Sequence, residues 1–250
     1  MTGTAKSYVA LISGQFQETR GDLEGARASY RRAVRDLADA GQYVAAAAVL
    51  EALGRISLLT GSGYAADLTF ARQQKLGGQE NGIIAFLQAE QGNAAGASHS
   101  LQLAAQAHPE FGAKGVEMLE NYQALYLALS HQDAPAVLAA ASRLPNSVSA
   151  RVLFPRGWAY FATKDYVRAE ADLRETILDE RRLSDFNIVA SHSPLVLALA
   201  HFYLGQVYDA TGRREQAANE YQEFLSHFED SECQLPQIAL AKAALQHALP

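Results

Sequence analysis

Residues 194–225 read PLVLALAHFYLGQVYDATGRREQAANEYQEFL, and this stretch decides the fold. Leu204, Tyr208, Tyr221 and Phe224 recur at the three- and four-residue steps that put side chains on one face of a helix. Gly212 falls between the two apolar runs, where a glycine takes the left-handed conformation that closes a helix end. Gly205 and Ala217 are small and allow two helices to approach closely where they cross. The stretch therefore predicts two antiparallel helices joined by a tight turn, with the four large side chains filling the space around the crossing.

The order Leu204-Gly205, Tyr208, Gly212, Ala217, Tyr221, Phe224 resembles the tetratricopeptide repeat, a helix-turn-helix unit of about 34 residues. Two places depart from the family pattern: His201 replaces the usual tryptophan, and Glu229 stands where a proline often ends the second helix.

With this hairpin as template, further copies lie along the chain. The first carries Gly14, Gly21, Ala26, Tyr30 and Ala33, with Gln17 in an aromatic slot and Asp22 placed to cap the second helix. The second carries Leu53-Gly54, Gly61, Ala66 and Phe70. Its Gly61-Ser62-Gly63 is read as a helix-helix turn, because no strand precedes it and no lysine with serine or threonine follows. The third has Ala85, Gly92, Ala97, Leu101, Ala104 and Pro109. The fourth is degenerate. It turns between His131 and Pro135, with Asp133 and Pro135 suited to the cap and first turn of its second helix, and either Ala124 or Leu125 sets its register. The fifth restores the pattern with Gly157, Tyr160, Ala169 and Leu173, and Lys164-Asp165 replaces the glycine turn.

From Lys164 to Gly212 the step exceeds the repeat length by about 14 residues. The excess is carried by 183–193 as extended helix plus loop, with Ser193-Pro194 as cap and first residue of the next helix. After Phe224, Pro236 opens a last helix whose Ile238, Leu240, Ala241, Ala244 and Leu245 are available to cover the open end of the stack. The expectation is one all-α domain over 1–250. It is a right-handed α-solenoid of about six pairs (6–40, 42–77, 79–109, 114–144, 148–183, 194–228) with a capping helix at 235–248.

Composition narrows the function classes. The 250 residues are 49% hydrophobic and 19% charged, enough apolar content to bury a core. A net charge of −6 argues against a nucleic-acid partner, which needs a basic face. Arg31-Arg32, Arg181-Arg182 and Arg213-Arg214 are short groups flanked by acids and read as solvated helix faces. Cys233 is the only cysteine, which rules out an intramolecular disulfide and fits a reducing cytoplasm. The N-terminus does not read as a signal peptide, and the apolar run 44–50 is broken by Glu51, so no membrane span is expected.

No catalytic, cofactor or metal constellation is expected. The seven histidines form no i,i+4 pair, and Cys233 has no cysteine partner for zinc. Ser191-His192-Ser193 lacks a nucleophile elbow and reads as loop. The acidic pairs Asp179-Glu180 and Glu229-Asp230 read as solvated charge near helix ends.

The resemblance implies that the first helix of each pair lines a concave groove. Transferring the family phase points Phe86 inward from the third pair and Tyr122 from the fourth in either register, with Tyr126 inward in one of them. The fifth pair contributes Phe154, Trp158 and Phe161, and the sixth Phe202, Tyr203, Gln206 and Asp209. The first two pairs contribute Gln15, Glu18, Thr19, Glu51 and Arg55. The C-terminal half would then present aromatics suited to a peptide or protein segment. Leu11 and Gln15 stand where a carboxylate-gripping first repeat would have lysine and asparagine, which disfavours chaperone-tail binding.

The implied function is a non-enzymatic protein-interaction scaffold in the cytoplasm, and homo-oligomerisation is compatible with it. A second expectation rests on the last hairpin and the run after it. That region resembles the tetratricopeptide tail of bacterial signalling proteins that carry a Ser/Thr kinase or a DNA-binding domain, although no kinase motif is present.

Overall fold

The computed structural model describes residues 3–107, 109, 112–144, 149–185, 193–229, 233 and 235–248, with backbone alone at 3–6, 183–185 and 247–248. Among these residues there are thirteen α-helices and no strand. They are α1 (Gly3–Thr19), α2 (Leu23–Asp39), α3 (Tyr43–Thr60), α4 (Tyr64–Gln73), α5 (Asn81–Glu90), α6 (Ala94–Ala107), α7 (Gly112–Ser130), α8 (Ala134–Ala141), α9 (Ala150–Ala162), α10 (Tyr166–Asp185), α11 (Pro194–Ala210), α12 (Arg214–Ser226) and α13 (Pro236–Ala248). The fold is an all-α helical repeat of the solenoid class.

One turn recurs six times. Gly21, Gly61, Gly92, Gln132, Lys164 and Gly212 all adopt positive φ, between 56° and 76°. Each follows by seven residues the position held by Gly14, Gly54, Ala85, Leu125, Gly157 and Gly205. The amide after the turn residue commonly reaches back to close the helix, as Arg213 N–H does to the Tyr208 carbonyl at 2.8 Å and Asp165 N–H to the Tyr160 carbonyl at 2.8 Å. Because Gln132 is the left-handed residue of the fourth turn, Leu125 sets that register, and it is fully buried.

The close helix crossing is explicit at Gly205, where an added Cβ would lie 2.8 Å from the Tyr221 ring. At Gly14 it would lie 2.5 Å from Tyr30. In the second helices, Ala26, Ala97, Val137, Ala169 and Ala217 are buried at the matching position.

The second pair breaks this register. There α4 starts three residues after the turn glycine rather than two, with Gly63 adding a second left-handed residue at φ 86°. The expectation for Ala66 is thereby corrected: Ala66 is exposed, and Asp67 takes the buried position.

The helices group into two compact units where the sequence offers no internal boundary. One contains Met1–Gly14 with Glu24–Gln132, and the other Gln15–Leu23 with Asp133–Pro250. The division falls inside the turn between α7 and α8.

In the first unit Tyr30, Leu50, Leu53, Ile56, Leu87 and Leu125 form the buried core. A charge cluster is buried with them. Arg27 donates from Nη1 to Asp67 Oδ2 at 2.6 Å and to Ser57 Oγ at 2.8 Å, and from Nη2 to the Ser62 carbonyl at 3.1 Å. Arg31 donates to Asp67 Oδ1 at 2.7 Å, and Ser57 Oγ also donates to Asp67. Arg31 is thus engaged rather than simply solvated. By length and composition α3 is long and apolar enough to cross a membrane, against the expectation from the 44–50 run. In this unit its Val49, Leu50, Leu53 and Ile56 are core residues.

In the second unit Leu173, Leu195, Phe202, Leu204 and Phe224 are fully buried, and α13 contributes the buried Ala241. Three acids close helix starts from the side. Asp179 accepts from Ala150 N–H at 2.7 Å, and Glu180 accepts from Ser193 N–H at 2.8 Å. Glu18 accepts from Leu195 N–H at 3.0 Å and from Ser193 Oγ at 3.2 Å. Free helix-start amides and the helix dipole favour negative charge there. The solvated reading of Asp179-Glu180 is corrected accordingly, because Glu180 is buried and bonded. Likewise Arg213 pairs with Glu170 at 2.7 Å. Ser193 and Asp133 are the caps of α11 and α8, accepting from Val196 N–H at 3.4 Å and Ala136 N–H at 3.0 Å. The expected loop through 186–192, including Ser191-His192, and the acid Asp230 lie outside the described residues.

Candidate functional site

The constant seven-residue step fixes which residues are equivalent on the first helices. Two slots follow from it, three residues before and one after the packed position. They hold Tyr122 and Tyr126 on α7, Phe154 and Trp158 on α9, and Phe202 and Gln206 on α11, while Phe86 holds the second slot on α5.

The slots differ in exposure. Phe86 is buried, and its ring meets Tyr126 edge-on with centroids 6.5 Å apart. Tyr122 and Tyr126 are both half-buried. In the first unit the sequence-predicted aromatics therefore form a short row on α7, backed by α5.

The second unit departs from the expectation of an open aromatic lining. Trp158 is only 8% exposed, and Phe154 and Phe202 are buried more deeply still. The reason lies in the density of rings. Tyr203 packs against Phe154 at 6.2 Å, Phe161 at 5.9 Å and Phe202 at 5.1 Å, and Phe202 continues to Phe224 at 5.2 Å and Tyr221 at 6.0 Å. Such tilted and edge-on pairs stabilise a core beyond the area they bury. Tyr203 is half-buried overall, but its hydroxyl end is enclosed. Burial pushes its pKa up, while hydrogen bonds with Gln237 of α13 and with Trp158 act the other way. Phe154, Trp158 and Phe202 are thus packing residues of α9 and α11, and the ring cluster continues to Tyr221 and Phe224 of α12.

Phe161 and Gln206 remain half-buried, and Asp209 is exposed at the end of α11. Asp209 accepts from the Tyr221 hydroxyl at 3.0 Å. Burial first, and then the Asp209 carboxylate, push the Tyr221 phenol well up. Of the polar slots, Gln15 and Arg55 are half-buried, Thr19 and Glu51 are exposed, and Glu18 is buried as a cap. Leu11 is buried.

Two arrangements escaped the sequence reading. His201 is buried where the family has tryptophan, and its Nδ1 lies 2.6 Å from Glu220 Oε2 of α12, so a polar pair replaces an apolar ring. Tyr208 carries the Arg213 guanidinium over its ring at 4.3 Å, and Arg213 in turn holds Glu170. The Glu170 carboxyl sits below the usual carboxylate range chiefly because of its hydrogen bond with Arg213. Only the alternation of acids and arginines on α10 and α12 hinted at this bridge.

No curated protein and no solved structure matches the chain significantly. One family model does match: residues 199–231 correspond to the tetratricopeptide repeat, a span that covers most of α11 and all of α12. The α11–α12 hairpin is a repeat of tetratricopeptide type, and the pairs before it carry a left-handed turn residue at the same place.

Proposed function

We propose that this protein is a non-enzymatic interaction scaffold of the cytoplasm that holds a peptide or protein segment against the first helices of its repeats. The observation that carries this reading is the α7 row in the first unit, where Tyr122 and Tyr126 stand half-exposed one helical turn apart, with Phe86 behind them. A tyrosine anchors a partner through a large ring with few rotamers to freeze, and its hydroxyl stays at the wet edge. In the second unit the rings are committed to packing, so the residues left for a partner there are Phe161, Gln206 and Asp209.

Panning of a displayed peptide library against the purified chain tests this. Enriched peptides are expected to bind the parent and to bind a Tyr122→Ala/Tyr126→Ala variant more weakly by about 2 kcal/mol or more, roughly 30-fold. The variant should keep its circular-dichroism melt, since neither ring is fully buried. Peptides that bind parent and variant equally would remove the α7 row from the function.

A second reading, a regulatory or self-associating tail of a signalling protein, draws on the tetratricopeptide match over 199–231 together with the likeness of this hairpin and the run after it to such tails. It predicts a kinase or DNA-binding domain in the same polypeptide or encoded directly beside it.

A further inference from the structure

We propose, on the reading that the α7 row seats a partner, that the bound segment carries an aspartate or glutamate side chain and that Arg55 of α3 receives it. Arg55 follows Gly54, so on α3 it holds the slot that Phe86 holds on α5 and Tyr126 on α7. These three helices pack on one another within the first unit. An added Cβ at Gly54 would lie 2.2 Å from Ile83 of α5, and one turn further along α5 Phe86 meets Tyr126. Arg55 is therefore the charged end of the line of slots that leads to the tyrosines.

Charge selects the occupant. Arg55 is half-buried, and its Nε is enclosed without a hydrogen-bond partner. Among the described residues no acid pairs with its guanidinium. Arg27 and Arg31 of the same unit are both answered by Asp67. The acids nearest to Arg55 in register do not answer it: Glu51, one turn earlier, is exposed, and Glu90 on α5 accepts from Ser130 of α7. A second orphan stands beside Tyr122, where Gln123 Oε1 is buried and accepts nothing. A segment lying over these slots strips the remaining water from Arg55, so a partner without an acid would leave a desolvated charge unpaired. The guanidinium fork matches a carboxylate through two parallel hydrogen bonds. One guanidinium balances one carboxylate, whereas a phosphate dianion would leave a charge over. Gln123 Oε1 offers an acceptor for a backbone N–H of the same segment. The partner is thus an apolar or aromatic anchor for the tyrosines with a single acid beside it.

The probes are peptides enriched by panning on the full chain and weakened by Tyr122→Ala/Tyr126→Ala, synthesised with an amidated C-terminus so that only a side chain can supply the carboxylate. They are expected to share an aspartate or glutamate at a fixed distance from the anchor. Changing that acid to its amide should weaken binding to the parent by about 10-fold or more. Arg55→Gln should weaken the acid peptide by the same factor and leave the amide peptide unchanged, a coupling that a merely structural role of Arg55 would not produce. Raising salt from about 50 mM to about 500 mM should weaken the acid peptide on the parent but not on Arg55→Gln. Tyrosine-dependent peptides without an acid, or an Arg55→Gln loss equal for acid and amide peptides, overturn this assignment and leave the α7 row standing as a binding site. Peptides that bind only with a free C-terminus overturn it too, by giving Arg55 to a chain end. The absence of any tyrosine-dependent peptide overturns both.

Discussion

Asp67 shows how one residue redirects local physics. In the first, third, fifth and sixth pairs an alanine sits at the buried crossing, but the extra residue in the second turn brings a carboxylate there. A buried charge is tolerated only when paired and hydrogen-bonded, and Arg27, Arg31 and Ser57 all converge on Asp67. Gly63 contributes by having no side chain, since an added Cβ would lie 2.6 Å from the Arg27 guanidinium. Asp67→Ala is expected to cost about 3–5 kcal/mol, because it strands the buried Arg27. Replacing Arg27 and Asp67 together by apolar residues of similar volume should recover most of that loss. Urea denaturation followed by circular dichroism measures both, and an Asp67→Ala chain as stable as the parent would mean that Arg27 is hydrated after all.

At the level of the element, the turn governs which residue faces the crossing. Ala217 and Ala66 are each five residues beyond a left-handed glycine, yet Ala217 is buried and Ala66 exposed, because α4 starts one residue late. Ala217→Glu should therefore destabilise by several kcal/mol, about 3 or more, since it forces an unpaired charge into a closed crossing. Ala66→Glu should stay within about 0.5 kcal/mol of the parent, like most surface substitutions. Equal melting shifts for the two variants would show that the second pair keeps the common register. The left-handed Gln132 and Lys164 hold the same turn without glycine, which is strained for residues with a Cβ and persists because the helices on either side determine it.

Across the whole molecule, buried phenols set the response to alkali. Tyr203, Tyr208 and Tyr221 have raised pKa values, first of all through burial, and Tyr64 is pushed up to about 12 by burial and by the Glu90 carboxylate. The folded state thus favours the neutral phenol. Its contribution is fully present below the unfolded value of about 10 and is lost as the pH rises through the folded values. Helix content is expected to fall between about pH 10 and about pH 12, with phenolate absorbance rising in the same interval. A smooth phenolate titration centred near 10 with the helix signal intact would contradict the enclosure of these rings. In the acid direction, Glu170, held low by Arg213, supports the fold at neutral pH, and that support is lost as the pH drops through its folded value.

The sequence by itself determined the all-helical repeat and most of its turns, though neither the fourth register nor the extra residue in the second turn, because the common turn depends on short-range regularities: a left-handed closing residue, in most pairs a small residue seven positions before it, and apolar side chains at helical steps. It even located the cap residues Ser193 and Asp133, since capping is a contact with the residues that follow at once. Tertiary structure alone decided what each face meets. The slot that makes Trp158 a groove residue in the family phase holds a core residue here, because Tyr203 and the rings around it close over it and α13 reaches Tyr203 through Gln237. Glu18 and Glu180 look like surface acids until α11 brings its unsatisfied amides to them. Periodicity fixes a side chain's direction relative to its own helix axis, whereas burial depends on what other segments, for Glu18 one 177 residues away, place opposite it.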